Sequence, residues 1–356
     1  MEVHQFATSL SYGDAISDEM MKIRTVLREK GYKSDIFTRY LDPRMASWAK
    51  DFREYRKFSS PQNVVIFHFS IGSPVSKMFF RIPDKKIMIY HNITPYHYFL
   101  DSHRILAKEC YKGRLELRKF AGKVDLALGD SSFNREELQS VGYSRSGVLP
   151  ILLDFSKFDQ RGSPAVNEIF SNQKTTLLFV GRLIPNKKFE HVIKVFYFYK
   201  KYFNSHSQLL LVGDYRGMER YLGALKDLIG RLGLEGVHFT GHVDFSELVS
   251  YFRVAHFYLS MSEHEGFGVP LLESFYMHVP VVAYPAGAVE ETMNGGGILV
   301  FQKDFFKIAA LIYRMDTDNQ LREQVVSSQV KALEKYQTEK VSSILLHHIE
   351  RVKNED

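Results

Sequence analysis

Residues 262–285 read SEHEGFGVPLLESFYMHVPVVAYP, which predicts a glycine-containing loop, a helix and a strand in succession. Pro270 fits the first turn of a helix that begins at Val269. VPVVAYP is a short β-branched run between prolines, which is typical of a buried strand in a parallel sheet. This order indicates an α/β unit, and Glu265 lies at the carboxyl edge of its strands, where such units bind ligands.

Two carboxylates bracket the glycines of this loop. Glu265 precedes the predicted helix and Glu273 lies about one turn inside it, so their side chains can reach different parts of one extended ligand. Gly266 and Gly268 let a ligand approach bare backbone, and the helix N-terminus offers unpaired N–H groups to a phosphate. A nucleotide sugar has this shape, with hydroxyls at both ends and charge in the middle. In the competing interpretation, the carboxylates only stabilise the start of the helix.

Length and composition limit the classes of protein to consider. The 356 residues suffice for two domains of ordinary size. A hydrophobic content of 45% and a charged content of 25% are typical of globular proteins, and the net charge of +6 is modest. Cys110 is the single cysteine, which excludes an internal disulfide and a cysteine-based metal cage. No apolar run approaches the roughly 20 residues of a membrane span, and MEVHQFATSL lacks the layout of a secretion signal, so we expect a cytoplasmic protein.

Two series of short apolar runs predict two parallel sheets. The first series is EVHQFA, SDIFTR, NVVIFHFS, KIMIYHN, VDLALGD and SGVLPI; the second is TTLLFVGRL, SQLLLVGD, VHFTGHV, AHFYLSMS, VPVVAYP and GGILVF. We therefore expect an α/β fold of two Rossmann-like, doubly wound domains that face each other across a ligand-binding cleft. The domains are predicted at 1–150 and 151–336, and a break near Tyr336 would let the final helix, 337–356, return to the first domain.

The second domain opens with LLFVGRLIPNKKFEHVI, which places two cations after a buried strand. Arg182 leaves the end of that strand, and Lys187 follows just before a helix. A rigid guanidinium and a mobile ammonium suit the spread charge of a diphosphate. Alternatively, Lys187 and Lys188 are solvated residues of a turn.

The first domain supplies two candidates of its own. His91 ends the predicted strand KIMIYHN and starts a turn, so we expect its imidazole to face the cleft, although a histidine there can also be a structural hydrogen-bonding group. Gly13 follows the first strand and precedes a helix, where it would let the helix N-terminus approach a diphosphate.

The series VGRLIPNKK, FTGHVDFSEL and SEHEGFGVPLLES is similar to the nucleotide-binding half of retaining GT-B glycosyltransferases of family 4. The signature of that family is two glutamates separated by seven residues, which Glu265 and Glu273 match. The resemblance covers most of the second domain, whereas the first domain is similar mainly in layout. This sequence departs from the family pattern at two positions. Lys188 replaces a usual glycine, and the loop of Gly13 has one glycine where relatives often have a pair.

The resemblance implies a role for each matching residue. Catalysis would involve His91, Glu265, Arg182 and Lys187. Arg182 and Lys187 would bind the donor diphosphate, and Glu273 would hold the ribose hydroxyls. The loop of Gly13 would also contact the donor. The side chain of Glu265 and the backbone of Gly266, Phe267 and Gly268 would contact the sugar. The backbone of His242 and Val243 would contact the base.

The activity that the resemblance implies is transfer of a hexosyl group of the mannose or glucose type from a GDP-sugar or UDP-sugar to a saccharide or lipid-linked acceptor. The reaction would retain the anomeric configuration by front-face attack and would require neither metal nor other cofactor. Two alternatives remain open from the sequence. One is a sugar-nucleotide epimerase of the same fold, and the other is a non-catalytic nucleotide-sugar binder.

Two basic segments, 44–57 and 103–123, are candidates for peripheral contact with an anionic membrane at its inner face. In the first, Trp48, Phe52 and Tyr55 have helical spacing, and in the second seven Lys or Arg oppose two Glu. In the alternative interpretation, the aromatic residues pack on the core and the cations are solvated. Neither segment belongs to a nucleic-acid-binding motif, so nucleic acid is not an expected partner.

Overall fold

The computed structural model describes residues 1–171 and 174–354, which divide into two compact units. Unit 1 holds residues 1–96, 105–154 and 335 onwards, and unit 2 holds 97–104 and 155–334. Each unit is built on a fully parallel sheet with helical connections. The predicted α/β class with two doubly wound sheets is confirmed.

The sheet of unit 1 has seven strands in the order β3-β2-β1-β4-β5-β6-β7. Its elements, in chain order, are β1 Val3–Leu10, α1 Ala15–Glu29, β2 Ile36–Leu41, β3 Ala49–Asp51, β4 Val64–Phe69, α2 Pro74–Phe79, β5 Lys85–Tyr90, α3 Arg104–Phe120, β6 Leu126–Gly129, α4 Ser132–Ser140 and β7 Ser146–Val148. The order reverses direction between β1 and β4, so the ends of β1 and β4 lie at the switch point where doubly wound sheets bind ligands, and β5 is the strand next to β4.

The sheet of unit 2 has six strands in the order β10-β9-β8-β11-β12-β13. Its elements are α5 Pro164–Phe170, β8 Thr175–Val180, α6 Phe189–Tyr202, β9 Ser207–Val212, α7 Glu219–Arg231, β10 Val237–Gly241, α8 Phe245–Val254, β11 Phe257–Ser260, α9 Val269–Tyr276, β12 Val281–Ala283, α10 Val289–Met293, β13 Ile298–Leu299, α11 Phe305–Thr317 and α12 Asn319–Leu333. All twelve strands that the apolar runs predict are present, and the switch point lies between β8 and β11.

The last helix, α13 Thr338–Asn354, belongs to unit 1. A short 3-10 turn at Glu334–Tyr336 separates it from α12. Val341, Leu345 and Ile349 are buried in one apolar cluster with residues of β1, β4, β5 and α1. Each buried aliphatic side chain contributes about 1.5–3 kcal/mol, which is why the helix stays on this sheet.

The helix predicted over 44–57 is wrong. Asp42 and Asp51 each accept a hydrogen bond from a backbone N–H two residues later, which starts short 3-10 turns instead of an α-helix. Between those turns, β3 pairs with β2. Tyr55 is buried against Phe37 and donates a hydrogen bond to Asp84 at 2.5 Å, so this part of the segment belongs to the core.

In the part of the chain that the structure describes, no helix combines the length and the apolar character that crossing a membrane requires.

Gln329 on α12 completes the hydrogen bonding of β12. Its amide oxygen accepts from the backbone N–H of Val281 at 2.8 Å, and its amide nitrogen donates to the carbonyl of Val279 at 3.0 Å. Gln329 is fully buried. One side chain therefore satisfies two backbone groups that would otherwise be buried without partners.

Replacing Gln329 by Met should lower the free energy of unfolding of unit 2 by roughly 2–5 kcal/mol, because it keeps the volume but leaves two buried backbone groups unpaired. Urea unfolding measured by circular dichroism tests this. Lys331→Met, at an exposed position of the same helix, is the control and should change stability by less than about 0.5 kcal/mol. Equal stability of the two variants would contradict the assignment.

Candidate functional site

Three neighbouring strands of unit 2 end in glycine. Gly181 and Gly213 follow β8 and β9, and Gly241 closes β10. The Gly213 N–H donates to the Gly241 carbonyl at 3.1 Å, and a Cβ added at Gly213 would lie 2.0 Å from the carbonyl oxygen of Gly181. Only glycine fits Gly213, whose φ is +151°. The carboxyl edge of these strands is thus backbone without side chains, as close approach of a ligand requires.

The loop between β11 and α9 is fixed by backbone contacts on both sides of Glu265. Gly287 packs so closely that an added Cβ would lie 2.3 Å from the Glu265 carbonyl oxygen, and that oxygen accepts from the Ala288 N–H at 2.9 Å. Gly268, with φ +100°, starts α9 in a conformation that favours glycine. Phe267 is buried, so only the backbone of its two flanking glycines is accessible here.

Lys187 and Glu265 form an ion pair in this loop. The Lys187 Nζ lies 2.7 Å from both carboxylate oxygens, and the side chains are 19% and 11% exposed. Asn186 links the same two loops, because its carbonyl accepts from the Glu263 N–H and its side-chain amide donates to the His264 carbonyl. An ammonium group has three N–H donors, so Lys187 keeps one for a ligand while two hold Glu265.

The other predicted residues of unit 2 follow the ends of β8 and β10 or lie in α9. Arg182 is exposed after β8, and its charge acts on Asp214 after β9. Glu273 is buried within α9. His242 is exposed and Val243 half-buried in the loop after β10, which places both at the same carboxyl edge.

Sequence reasoning missed a charge network next to the pair. Glu263 binds Lys188 at 3.1 Å and Lys303 at 2.8 Å through its two carboxylate oxygens. Burial lowers the pKa of Lys188, but Glu263 and Glu190 outweigh it and raise the pKa above its ordinary value. No spacing signal could have found Lys303, because it follows β13 and reaches Glu263 only through the fold.

The structure explains why a glycine is usual at position 188. Lys188 has φ +53°, in the left-handed region that costs an L-residue about 1–2 kcal/mol. Its Nζ is held by Glu263 and lies 6.0 Å from the ring centroid of Tyr98. Tyr98 belongs to segment 97–104, which the predicted border at 150/151 did not assign to this unit.

In unit 1, Gly13 lies where the sequence predicts it, at the N-terminus of α1. Its φ is +73°, and the next residue, Asp14, caps the helix by accepting from the N–H and hydroxyl of Ser17. Gly13 is exposed. The loop can therefore present backbone N–H groups at the end of β1.

The side chain of His91 is buried among groups of unit 1. Its side chain is 1% exposed, because Asp130 and His68 draw the imidazole into the unit. His91 Nδ1 lies 3.0 Å from Asp130 Oδ2, and His91 Nε2 lies 2.9 Å from His68 Nδ1. Burial lowers the pKa of His91, but the effects of Asp130 and Glu19 are larger and raise that pKa to about 9.

Glu19 is the carboxyl that titrates in this cluster. It is fully buried on α1, with Oε1 accepting from the Leu152 N–H and Oε2 3.8 Å from His91 Nε2. Burial raises its pKa to about 8, against the opposing charge of His91. At neutral pH, Glu19 is therefore mostly protonated. Burial raises the pKa of Asp130 as well, against the opposing effect of the charge and hydrogen bond of His91.

Residues 164–331, which lie in unit 2, match the family model of glycosyl transferases group 1. Over 182 residues the chain is 30% identical to an uncharacterised glycosyltransferase, MJ1069, of Methanocaldococcus jannaschii, a match that covers 49% of this chain and 45% of that protein. It is 24% identical over 297 residues to O-antigen chain mannosyltransferase B of Escherichia coli, covering 80% of this chain and 71% of that protein.

Solved structures resemble the whole chain. HepE from Anabaena, in complex with UDP and glucose, has a TM-score of 0.73 at 17% identity, covering 99% of this chain and 100% of that one. Sucrose-phosphate synthase from Thermosynechococcus elongatus has a TM-score of 0.75 at 17% identity, covering 99% and 98%. The likeness establishes the GT-B fold of the chain.

The free energy of unfolding of Glu19→Gln, relative to that of the wild type, should increase as the pH rises. The folded state keeps a proton on Glu19 between the ordinary carboxyl pKa of 4.5 and about 8, so the wild type loses stability as the pH rises through that window. Glutamine cannot titrate, and its oxygen can still accept from the Leu152 N–H. We expect the stability difference between variant and wild type to grow by roughly 1–4 kcal/mol across the window.

Urea unfolding at pH 5, 6.5 and 8 measures this difference. Glu29→Gln is the matched control, since Glu29 is exposed on the same helix, and its difference from the wild type should not change over this range. A flat profile for Glu19→Gln would show that Glu19 has an ordinary pKa.

Proposed function

We propose that this chain, with its group 1 glycosyl transferase domain at residues 164–331, transfers a hexosyl group from a nucleotide sugar to a saccharide or lipid-linked acceptor. The observation that carries the proposal is the Lys187–Glu265 pair at the N-terminus of α9, beside a strand edge of bare glycine backbone. Such an edge accommodates a diphosphate, because a ligand can approach the bare glycine backbone closely and cations lie beside it.

Within the proposed site, Arg182 and Lys187 bind the diphosphate, and Glu273 binds the ribose hydroxyls. Glu265 and the backbone of Gly266 and Gly268 orient the sugar. The base lies at the loop after β10, against backbone groups near His242. Because the two cations neutralise the departing phosphate, we propose that neither a metal ion nor another cofactor is required.

The donor class follows from the relatives. HepE is described in complex with UDP and glucose, and the E. coli relative is a mannosyltransferase. We therefore propose a donor of the UDP-glucose or GDP-mannose type. The O-antigen relative also supports a place in polysaccharide biosynthesis.

We propose front-face substitution with retention at the anomeric carbon. The bond from the sugar C1 to the diphosphate oxygen breaks, the acceptor oxygen forms its bond to C1 on the same face, and the acceptor proton passes to the departing phosphate. Glu265 does not serve as the nucleophile in this scheme, because Lys187 holds both of its carboxylate oxygens. It orients the sugar instead.

The solvent face of α3 supports membrane contact in unit 1. Ile105, Tyr111 and Leu115 are 72%, 49% and 40% exposed, and Lys108 and Lys112 lie exposed between them. Apolar side chains among cations on one helix face suit the interface of an anionic membrane. The segment 103–123 is therefore the proposed contact, whereas 44–57 lacks the helix on which its candidacy depended.

Lys187→Met should lower kcat at least 100-fold and weaken binding of the nucleoside diphosphate about 10- to 100-fold, because it removes a charged hydrogen bond and leaves Glu265 unpaired. Thermal stabilisation by a panel of UDP- and GDP-sugars first identifies the donor. Calorimetry and turnover with that donor then compare the variants. Arg182→Ala should show the same pattern, whereas Glu273→Ala should act mainly on donor affinity.

Lys226→Met is the control, since Lys226 is exposed on α7, and it should retain wild-type turnover. Full activity in Lys187→Met would refute the diphosphate assignment. Incubation with donor alone separates the epimerase alternative, because only an epimerase yields an epimerised nucleotide sugar without acceptor.

The double variant Ile105→Ser and Leu115→Ser should reduce flotation with vesicles that contain phosphatidylglycerol at least tenfold, because it removes the apolar part of the proposed contact. Flotation of the wild type should also weaken at high salt. The matched control is Ile169→Ser, at a residue of unit 2 that is 62% exposed. Wild-type protein that stays unbound at low salt would rule out the membrane contact.

A further inference from the structure

A continuous row of hydrogen-bonding side chains runs through unit 1. The Gln5 side-chain amide donates to the Met20 carbonyl at 3.0 Å, and its oxygen lies 3.0 Å from His68 Nε2. His68 Nδ1 meets His91 Nε2 at 2.9 Å, and His91 Nδ1 meets Asp130 Oδ2 at 3.0 Å. The four side chains in this row come from β1, the end of β4, the end of β5 and the end of β6.

The first member of the row fixes the direction of every bond. The Met20 carbonyl can only accept, so the NH₂ group of Gln5 faces it and the Gln5 oxygen accepts from His68. His68 therefore carries its proton on Nε2, and burial lowers the pKa of His68 well below its ordinary value, so it stays neutral. Its Nδ1 is then an acceptor, and His91 Nε2 must be the donor.

The other nitrogen of His91 is a donor too. Nδ1 lies 3.0 Å from Asp130 Oδ2, and a proton shared by the two groups stays on the imidazole, because imidazole is a stronger base than a carboxylate. Both ring nitrogens of His91 thus carry protons. Asp14, Glu19 and Asp130 are the acidic groups that act on this ring, and His68 is the basic one.

Glu19, His68 and His91 also place one ligand atom each within 4.8 Å of one another, the spacing of a metal site. The ring geometry argues against that use. The two imidazoles are coplanar within 3°, with centroids 5.2 Å apart and nitrogens 2.9 Å apart, so their lone-pair directions point at each other. Two nitrogens on one tetrahedral zinc would be roughly 3.3 Å apart and would point at the metal.

We propose that Gln5, His68 and Asp130 are positioning residues that hold His91 as a doubly protonated imidazolium, fixed at the end of β5. His91 then supplies a buried positive charge one strand away from the switch point of the unit 1 sheet, where the charge of Asp14 acts on it. An imidazolium with both protons engaged has no lone pair, so it cannot accept the proton of an acceptor hydroxyl. Its use toward an anionic donor rests on the proposed function, whereas its protonation state does not.

Nitrogen NMR of ¹⁵N-histidine-labelled protein tests the protonation state directly. Two-bond ¹H–¹⁵N spectra at pH 7.5 should show His91 with two protonated nitrogens and His68 protonated on Nε2 alone. Single His91→Gln and His68→Gln variants assign the signals. A His91 with one unprotonated nitrogen at pH 7.5 would overturn the proposal, as would stoichiometric zinc in protein purified without chelator.

Asp130→Asn keeps the shape of the partner but removes its charge, so the pKa of His91 should fall by roughly 1–3. Asp130→Glu should restore most of that change. Asp125→Asn makes the same chemical change just before β6 and should leave the His91 signals in place. An unchanged His91 titration in Asp130→Asn would show that Asp130 does not hold the proton.

The pH profile of turnover then separates charge from proton transfer. A fixed imidazolium predicts activity that persists towards pH 9 and falls above it, whereas a general base predicts activity that rises as His91 loses its proton. The rising profile would overturn the charge role. If no nucleotide sugar supports turnover while the NMR signals are those of an imidazolium, the proposed function fails and the positioning assignment stands.

Discussion

The pairing of Lys187 with both oxygens of Glu265 is the interaction on which the candidate site depends. It joins the loop after β8 to the loop after β11, two strands that are neighbours in the sheet although they are far apart in sequence. Removing either partner would leave the other charged, half-buried and unpaired. The pair therefore fixes the direction of the third Lys187 donor and the start of α9 together.

The glycine edge beside this pair is the second constraint. Gly213 cannot carry a side chain without a clash with Gly181, and Gly287 cannot carry one without a clash with the Glu265 backbone. These close approaches leave bare glycine backbone at the carboxyl edge of the sheet, where Arg182 and Lys187 follow β8. Residues 164–331, which include this surface, match the family model of glycosyl transferases group 1, and we propose that the surface binds a diphosphate.

Buried charge is handled differently in the two units. In unit 2, Glu263 holds Lys188 and Lys303 in a partly exposed network, and that contact offsets the left-handed backbone of Lys188. In unit 1, the side chains of His91 and Asp130 are buried together, and His68 lies against the other side of the His91 ring. The first arrangement leaves cations available to a ligand, whereas the second keeps one cation fixed in place.

Most of the strand pattern could be read from the sequence, because each buried parallel strand is a continuous apolar run. The segment 44–57 could not, since helical spacing of its aromatic residues competed with side-chain caps at Asp42 and Asp51, and the caps determined its structure. His91 was found as a candidate, but its orientation depends on Asp130, which reaches it from the neighbouring strand. Sequence spacing carries no signal for such contacts.

The sequence by itself determined the two doubly wound sheets, the glycine loop and the residues Arg182, Lys187, Glu265 and Glu273, because periodicity and local motifs are properties of short stretches of chain. Only the tertiary structure decided which charges pair. Lys187 pairs with Glu265, Lys303 pairs with Glu263, and His91 pairs with Asp130. Each of those pairs joins groups from different strands or loops. Distance and burial set the electrostatic free energy of such a pair, and neither can be read from the sequence.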